Sequence, residues 1–288
     1  MISNHKLFVP SIGLISALAC PISSGATLFS DNFDSGSIDA AVWDIGSLSE
    51  SGSGTFETVA DGTLGIVTPG SVAGVRPSTR VTALTTVARG NDWTLSVTMN
   101  LAALAELSSD FAAGDGVALT VQVKNGIQSG DRLEVNFAAI NFGTPGFAVR
   151  SADRLEGTGN INEPIIPISG SAASTATIIL TYNGTTQTTS SAYQVNGGPL
   201  TRFGFDSDLS GWTSGAGDDF VFAIEALAGN FAGSEAPLDG SMNFSAGEAA
   251  FDSITLEDTY TALPAIPEPT TSLLAGLAAL AFCSRRKR

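Results

Sequence analysis

Histidine and cysteine are nearly missing from this 288-residue chain, and the few copies sit at its ends. The one histidine is His5, and the two cysteines are Cys20 and Cys283. Residues 27–263 contain neither. That excludes a Ser-His-Asp triad, a thiolate nucleophile and a zinc site built on His or Cys. It also excludes a disulfide, so the body must stand on its core alone. Cations are scarce as well. The body holds 8 of the 13 Lys and Arg, Lys124 being its one lysine, against 27 of the 28 Asp and Glu. Its formal charge is therefore near −19, more negative than the −15 of the whole chain. Nucleic acid and anionic membrane surfaces would be repelled by such a body. Carboxylate chemistry survives these exclusions: a glycosidase pair, or calcium held on oxygen ligands.

The two ends read as addresses. Lys6 gives a weakly basic start, Leu7 to Ala19 an apolar core, and Ser24-Gly25-Ala26 a small-residue cleavage site, so residues 1–26 are expected to be a secretory signal peptide. Cys20 offers a lipoprotein alternative. At the other end, 264–288, Pro267-Glu268-Pro269 precedes an apolar run from Leu273 to Cys283 and the basic terminus Arg285-Arg286-Lys287-Arg288. The run is shorter than the roughly 20 residues a spanning helix needs. Four terminal cations would hold that end on the cytoplasmic side. This order resembles the PEP-CTERM sorting signal of Gram-negative bacteria, with Pro267, Glu268 and Pro269 in place of the namesake tripeptide. The resemblance implies an exosortase partner, at least transient residence in the inner membrane, and a final place at the cell surface or in the extracellular matrix. The alternative is an ordinary C-terminal membrane anchor.

Between the ends, apolar and polar residues alternate with period two. Leu95, Val97, Met99 and Leu101 form one stripe; Val117, Leu119, Val121 and Val123 form another, opposite Thr120, Gln122 and Lys124. Leu133, Val135 and Phe137 face away from Arg132, Glu134 and Asn136. Further stripes are Ala176, Ile178, Leu180 and Tyr182; Phe220, Phe222 and Ile224; and Ile254 with Leu256. Such alternation predicts antiparallel strands with one dry and one wet face, hence an all-β sandwich over 27–263. One short helix is expected, from Leu101 to Leu107. The body opens with Asp31-Asn32-Phe33-Asp34-Ser35-Gly36, then Trp43 and Asp61-Gly62-Thr63-Leu64, and closes with Phe251-Asp252-Ser253-Ile254-Thr255-Leu256. This layout resembles the concanavalin A-like lectin and glucanase jelly roll, which implies that the first and last strands pair in one sheet. Other β-sandwiches, galactose-binding types among them, have similar ends.

The site signals are sparser. Laminarinase-like members of that fold carry Glu-x-Asp-x-Glu on one strand, and the motif is absent here. Glu134 and Glu225 read as lone, solvated acids on outer stripes. Trp43 and Trp93 read as core. Trp212, in the polar stretch from Phe205 onward, is the best candidate for a ring that stacks on a sugar, with burial against the base of the loop as the equal alternative. Asp206, Asp208 and Ser210 alternate ahead of Gly211, like the first half of a calcium loop; Gly217 stands where the closing acid belongs, and Asp218 and Asp219 follow. The alternative there is a turn closed by Asx hydrogen bonds. By analogy with the jelly roll, Asp31, Asp34 and Asp252 would meet if the termini pair. The expected function is a non-catalytic, structural or adhesive role in an exopolysaccharide matrix or cell envelope. A carbohydrate-binding lectin-like module and a degenerate glycoside hydrolase are the alternatives.

Overall fold

The computed structural model describes residues 25–35, 37–51, 54–59, 63–67, 77–101, 112–126, 130–141, 143–155, 159–162, 165–168, 175–212, 219–230 and 247–264. Every regular element among them is a strand. The signal peptide, the expected helix after Leu101 and the sorting tail lie outside the described residues. Among the described residues no helix is long and apolar enough to cross a membrane.

Two antiparallel sheets of eight strands each face one another. The first contains β1 (Thr27–Asp31), β3 (Thr55–Val59), β4 (Thr63–Val67), β6 (Trp93–Leu101), β12 (Thr175–Asn183), β13 (Thr188–Val195), β14 (Thr201–Asp208) and β16 (Ala249–Glu257). Its order is β14-β13-β12-β6-β16-β4-β3, with β1 also on β16. The second contains β2 (Trp43–Ser51), β5 (Ser78–Ala88), β7 (Asp115–Asn125), β8 (Arg132–Asn141), β9 (Pro145–Leu155), β10 (Gly159–Asn162), β11 (Ile165–Ile168) and β15 (Asp219–Asn230). Its order is β10-β9-β8-β7-β15-β5-β2, with β11 also on β9. The first and last strands pair as expected, with Phe29 opposite Leu256 and Asp31 opposite Ile254. Beyond them, Asp258 accepts the Ala26 amide at 2.5 Å and donates its own amide to the Ala26 carbonyl at 3.0 Å.

The sequence stripes are the inner faces. Every residue of the six stripes is at most 2% exposed. The sheets meet through aromatic rings. Trp93 of β6 stacks on Tyr182 of β12, with centroids 5.6 Å apart, and meets Phe220 and Phe222 of β15 edge-on at 5.5 and 5.3 Å. The Tyr182 hydroxyl donates to the Arg89 carbonyl at 2.8 Å, so its polar tip is satisfied.

The opening motif is a structural lock. Phe33 is fully buried in the left-handed region (φ 57), a conformation unfavourable for a bulky side chain. Two contacts hold it there. Asp31 accepts the Phe33 amide at 2.7 Å with one oxygen and the Trp43 indole N–H at 2.7 Å with the other. Trp43 in turn stacks on the Phe33 ring. In this chain Asp31, Phe33 and Trp43 therefore stand together for a packing reason.

Phe222 joins both sheets, touching Trp93 and Phe29. Phe222→Ala is expected to cost about 3–5 kcal/mol of unfolding free energy. Leu84→Ala, at a side chain 53% exposed, is expected to cost within about 0.5 kcal/mol. Urea titration of both variants checks the contrast; equal losses would show that the aromatic junction does not hold the sheets together.

Candidate functional site

The outer face of the second sheet departs from the simple dry-and-wet pattern. Along β7 the inward stripe is buried, but so are Thr120 and Gln122 on the other side, at 5% and 4% exposure. The register explains this. Reading across the sheet, Arg80 (β5) lies opposite Glu225 (β15), which lies opposite Thr120 (β7), then Asn136 (β8), then Arg150 (β9). The adjacent row is Thr82, Ala223, Gln122, Glu134 and Ala152. The next contains Val221, Lys124, Arg132 and Arg154. Long charged side chains thus flank a floor of shorter polar ones.

Glu134 and Glu225 are neither lone nor fully solvated, which corrects the sequence expectation. The Gln122 amide donates to Glu225 at 2.5 Å and reaches Glu134 at 3.4 Å. Arg132 pairs with Glu134 at 2.5 Å and Arg150 approaches its other oxygen at 3.6 Å. The Glu134 side chain is 14% exposed. Burial pushes the Glu225 carboxyl above the usual carboxylate range, and Glu134 adds to that, while Arg80, Lys124 and Arg132 pull the other way. The Lys124 ammonium is pushed down to about 8, mainly by burial and then by Arg80 and Arg132. Alternation puts these groups on one side of their strands, but only the register brings them into one cluster. The available sequence signal was the unusual concentration of the body's few cations on β5, β7, β8 and β9.

Trp212 takes the buried alternative. Its ring is 4% exposed and packs edge-on against Phe220 at 6.0 Å. Arg89 pins this turn by donating to the Leu209 carbonyl at 2.7 Å and the Trp212 carbonyl at 3.0 Å. The loop plugs one end of the core, and an indole inside it has no open face for a sugar. Asp153, on the inner side of β9, lies at the same end. Burial raises its proton affinity, with Ser207 and Trp212 acting in the opposite direction.

Among the described residues of the candidate calcium loop, Asp206, Asp208 and Asp219 each have a separate partner. Asp206 accepts from Ser190 at 2.6 Å and pairs with Arg202. Asp208 accepts the Ser210 amide at 2.9 Å, closing an Asx turn that holds its carboxyl below the usual range, with the Ser210 hydroxyl as the larger cause. Asp219 accepts from Thr86 at 3.0 Å within the other sheet. Asp218 lies outside the described residues. At the termini, Asp31 is occupied by Phe33 and Trp43, and Asp34 by Asn32. Among the described residues no three His, Cys, Asp or Glu stand close enough to hold a metal ion.

Residues 265–288 match the PEP-CTERM protein-sorting motif, a span that includes Pro267, Glu268, Pro269 and the basic terminus. The motif marks an exported chain of a Gram-negative bacterium that passes through the membrane and is processed by an exosortase. The sandwich resembles a winged bean acidic lectin solved with methyl-α-D-galactose, at TM-score 0.50 and 11% identity, covering 81% of this chain and 99% of that one. It also resembles the CBM2 module of an evolved Dit protein from Lactobacillus casei BL23 phage J-1, at TM-score 0.50 and 7% identity, covering 84% and 99%. A Bacillus licheniformis β-glucanase aligns at TM-score 0.46 and 10% identity, over 81% and 98%. No curated protein matches the sequence. The body thus has the jelly-roll sandwich fold that the lectin and the CBM2 module share. More particularly, it is a lectin-shaped sandwich carrying an exosortase sorting motif.

The raised proton affinity of Glu225 has a definite sign. The folded chain keeps that proton to higher pH than the unfolded chain, whose carboxyl titrates at about 4.3. Stability from this group is therefore greatest below that value and falls as pH rises through the folded value. Glu225→Gln is expected to gain stability relative to the unchanged protein between about pH 4 and pH 7. Melting temperatures of both proteins across that range check it; a difference that does not change with pH would contradict the assignment.

Proposed function

We propose that the protein is a non-catalytic component of an exopolysaccharide matrix or cell envelope, with a structural or adhesive role, delivered there by exosortase processing. The observation that carries this reading is the sorting motif at 265–288 beside a lectin-type sandwich. The absence of His and Cys from the body supports it, since those side chains serve most hydrolytic and redox chemistry. Glu134 and Glu225 do face one cluster, and a glycosidase needs two carboxylates. However, the Gln122 amide contacts both, so each carboxylate is engaged by the buried floor of the sheet. A carbohydrate-binding module is the second reading. It is favoured by the polar, charged outer face of the second sheet rather than by Trp212.

Removal of residues 265–288 is expected to leave the body folded and exported but no longer retained with the cells. Fractionation and mass spectrometry of both ends of the protein, purified from its native cells, check this. Retention of the truncated chain in the envelope would contradict the proposed delivery. Release of reducing sugar from matrix polysaccharide, lost on Glu134→Gln, would overturn the non-catalytic assignment.

A further inference from the structure

The body carries a strong negative charge, yet its cations are not scattered. Five of its eight, Arg80, Lys124, Arg132, Arg150 and Arg154, project from the outer face of the second sheet, on strands β5, β7, β8 and β9. Glu134 and Glu225 lie among them, and Asp44 and Asp219 stand at the margins. Among the described residues neither Arg80 nor Lys124 has a carboxylate within ion-pairing distance. Arg80 and Arg150 stand in one register row with Glu225, Thr120 and Asn136 between them, and the row runs on to Ser49 of β2 at one side and Ile165 of β11 at the other. Four strand spacings separate them, about 19 Å. That row can follow an extended polymer lying across the strands, with hydrogen-bonding groups between two guanidinium forks.

The face carries no aromatic ring among the described residues; the rings of β8, β9 and β15 all point into the core. Stacking on sugar faces is therefore not its means of recognition. Guanidinium groups suit planar carboxylates, which they bind through two parallel hydrogen bonds. The acidic remainder of the body does not forbid an anion here. At about 0.15 M salt, charges more than about 8 Å apart are largely screened, while direct contacts are not. We propose that this outer face binds a carboxylated polysaccharide laid across β5, β15, β7, β8 and β9, gripped by Arg80 and Arg150 and flanked by Lys124, Arg132 and Arg154. The proposal rests on the reading of the protein as a matrix component and names the ligand chemistry of that role.

The test is affinity electrophoresis of the full chain in mild detergent. The gels contain polygalacturonate, the same polymer with its carboxyls reduced to neutral alcohols, or dextran sulfate. Polygalacturonate is expected to retard the protein, and the reduced polymer is not. Arg80→Gln with Arg150→Gln should weaken retardation about tenfold or more. Arg202→Gln, the same type of change on the first sheet, should leave it unaltered. Arg154 is exposed and its loss cannot disrupt the floor, so Arg154→Gln with an unchanged melting temperature supplies the variant least exposed to folding artefacts; a several-fold loss is expected. Equal retardation by dextran sulfate, or no loss in the Arg80, Arg150 and Arg154 variants, would overturn the carboxylate site. Retardation by the neutral polymer would overturn it while leaving a carbohydrate-binding role in place. Absence of retardation in every gel would overturn it too, but would leave export and sorting, which are read from the tail, untouched.

Discussion

The two sheets are held face to face by apolar packing between their inner stripes, with a ring junction of Trp93, Tyr182, Phe220 and Phe222 within it. No disulfide is available to the body, and no metal cluster forms among its described residues. A body of this size can bury enough apolar surface to stand without either. The consequence is a division of labour across each strand. Inward positions are committed to the dry junction, so the outward positions of the second sheet are free to carry charge. The polar cluster depends on that junction, because its register is set by strands whose other faces are locked into the core.

Packing also explains which conspicuous residues are structural. Asp31, Phe33 and Trp43 form a self-supporting corner in which a carboxylate satisfies an indole N–H and a strained amide together. Arg89 does comparable work beside Phe220, holding the Leu209–Trp212 turn over the core by two carbonyl contacts. Acidic and aromatic residues that look like ligands in isolation are, in these two places, the fastenings of a sandwich that has no covalent ones. Asp206 and Asp208 fit the same description, since each has its partner within its own hairpin or turn.

The outer cluster is electrostatically costly. Burial disfavours the charge on both Glu225 and Lys124. An array of half-buried charges around a buried glutamine is not what stability alone would select, since an apolar replacement of similar volume is often as stable. That cost supports the proposed binding role of this face over the loops.

Much of the architecture was legible in the chain. Period-two stripes such as Leu95-Val97-Met99-Leu101 identify strands and their inner faces, because alternation is a local property of extended backbone. The tail's tripeptide, apolar run and basic end are likewise contiguous, so reading them requires no fold. Trp212 was left open, and Glu134 and Glu225 were misread, for one common reason. Whether a polar-flanked tryptophan turns inward, or two acids on separate hairpins share a glutamine, depends on neighbours distant in sequence: Arg89 for the first, Gln122 for the second. Sequence by itself settled the class of fold, the sorting motif at 265–288 and the lack of His and Cys in the body, since each follows from composition or short-range order. Only tertiary structure decided which charges meet, because inter-strand register places Arg80 and Arg150 in one row although they are far apart along the chain.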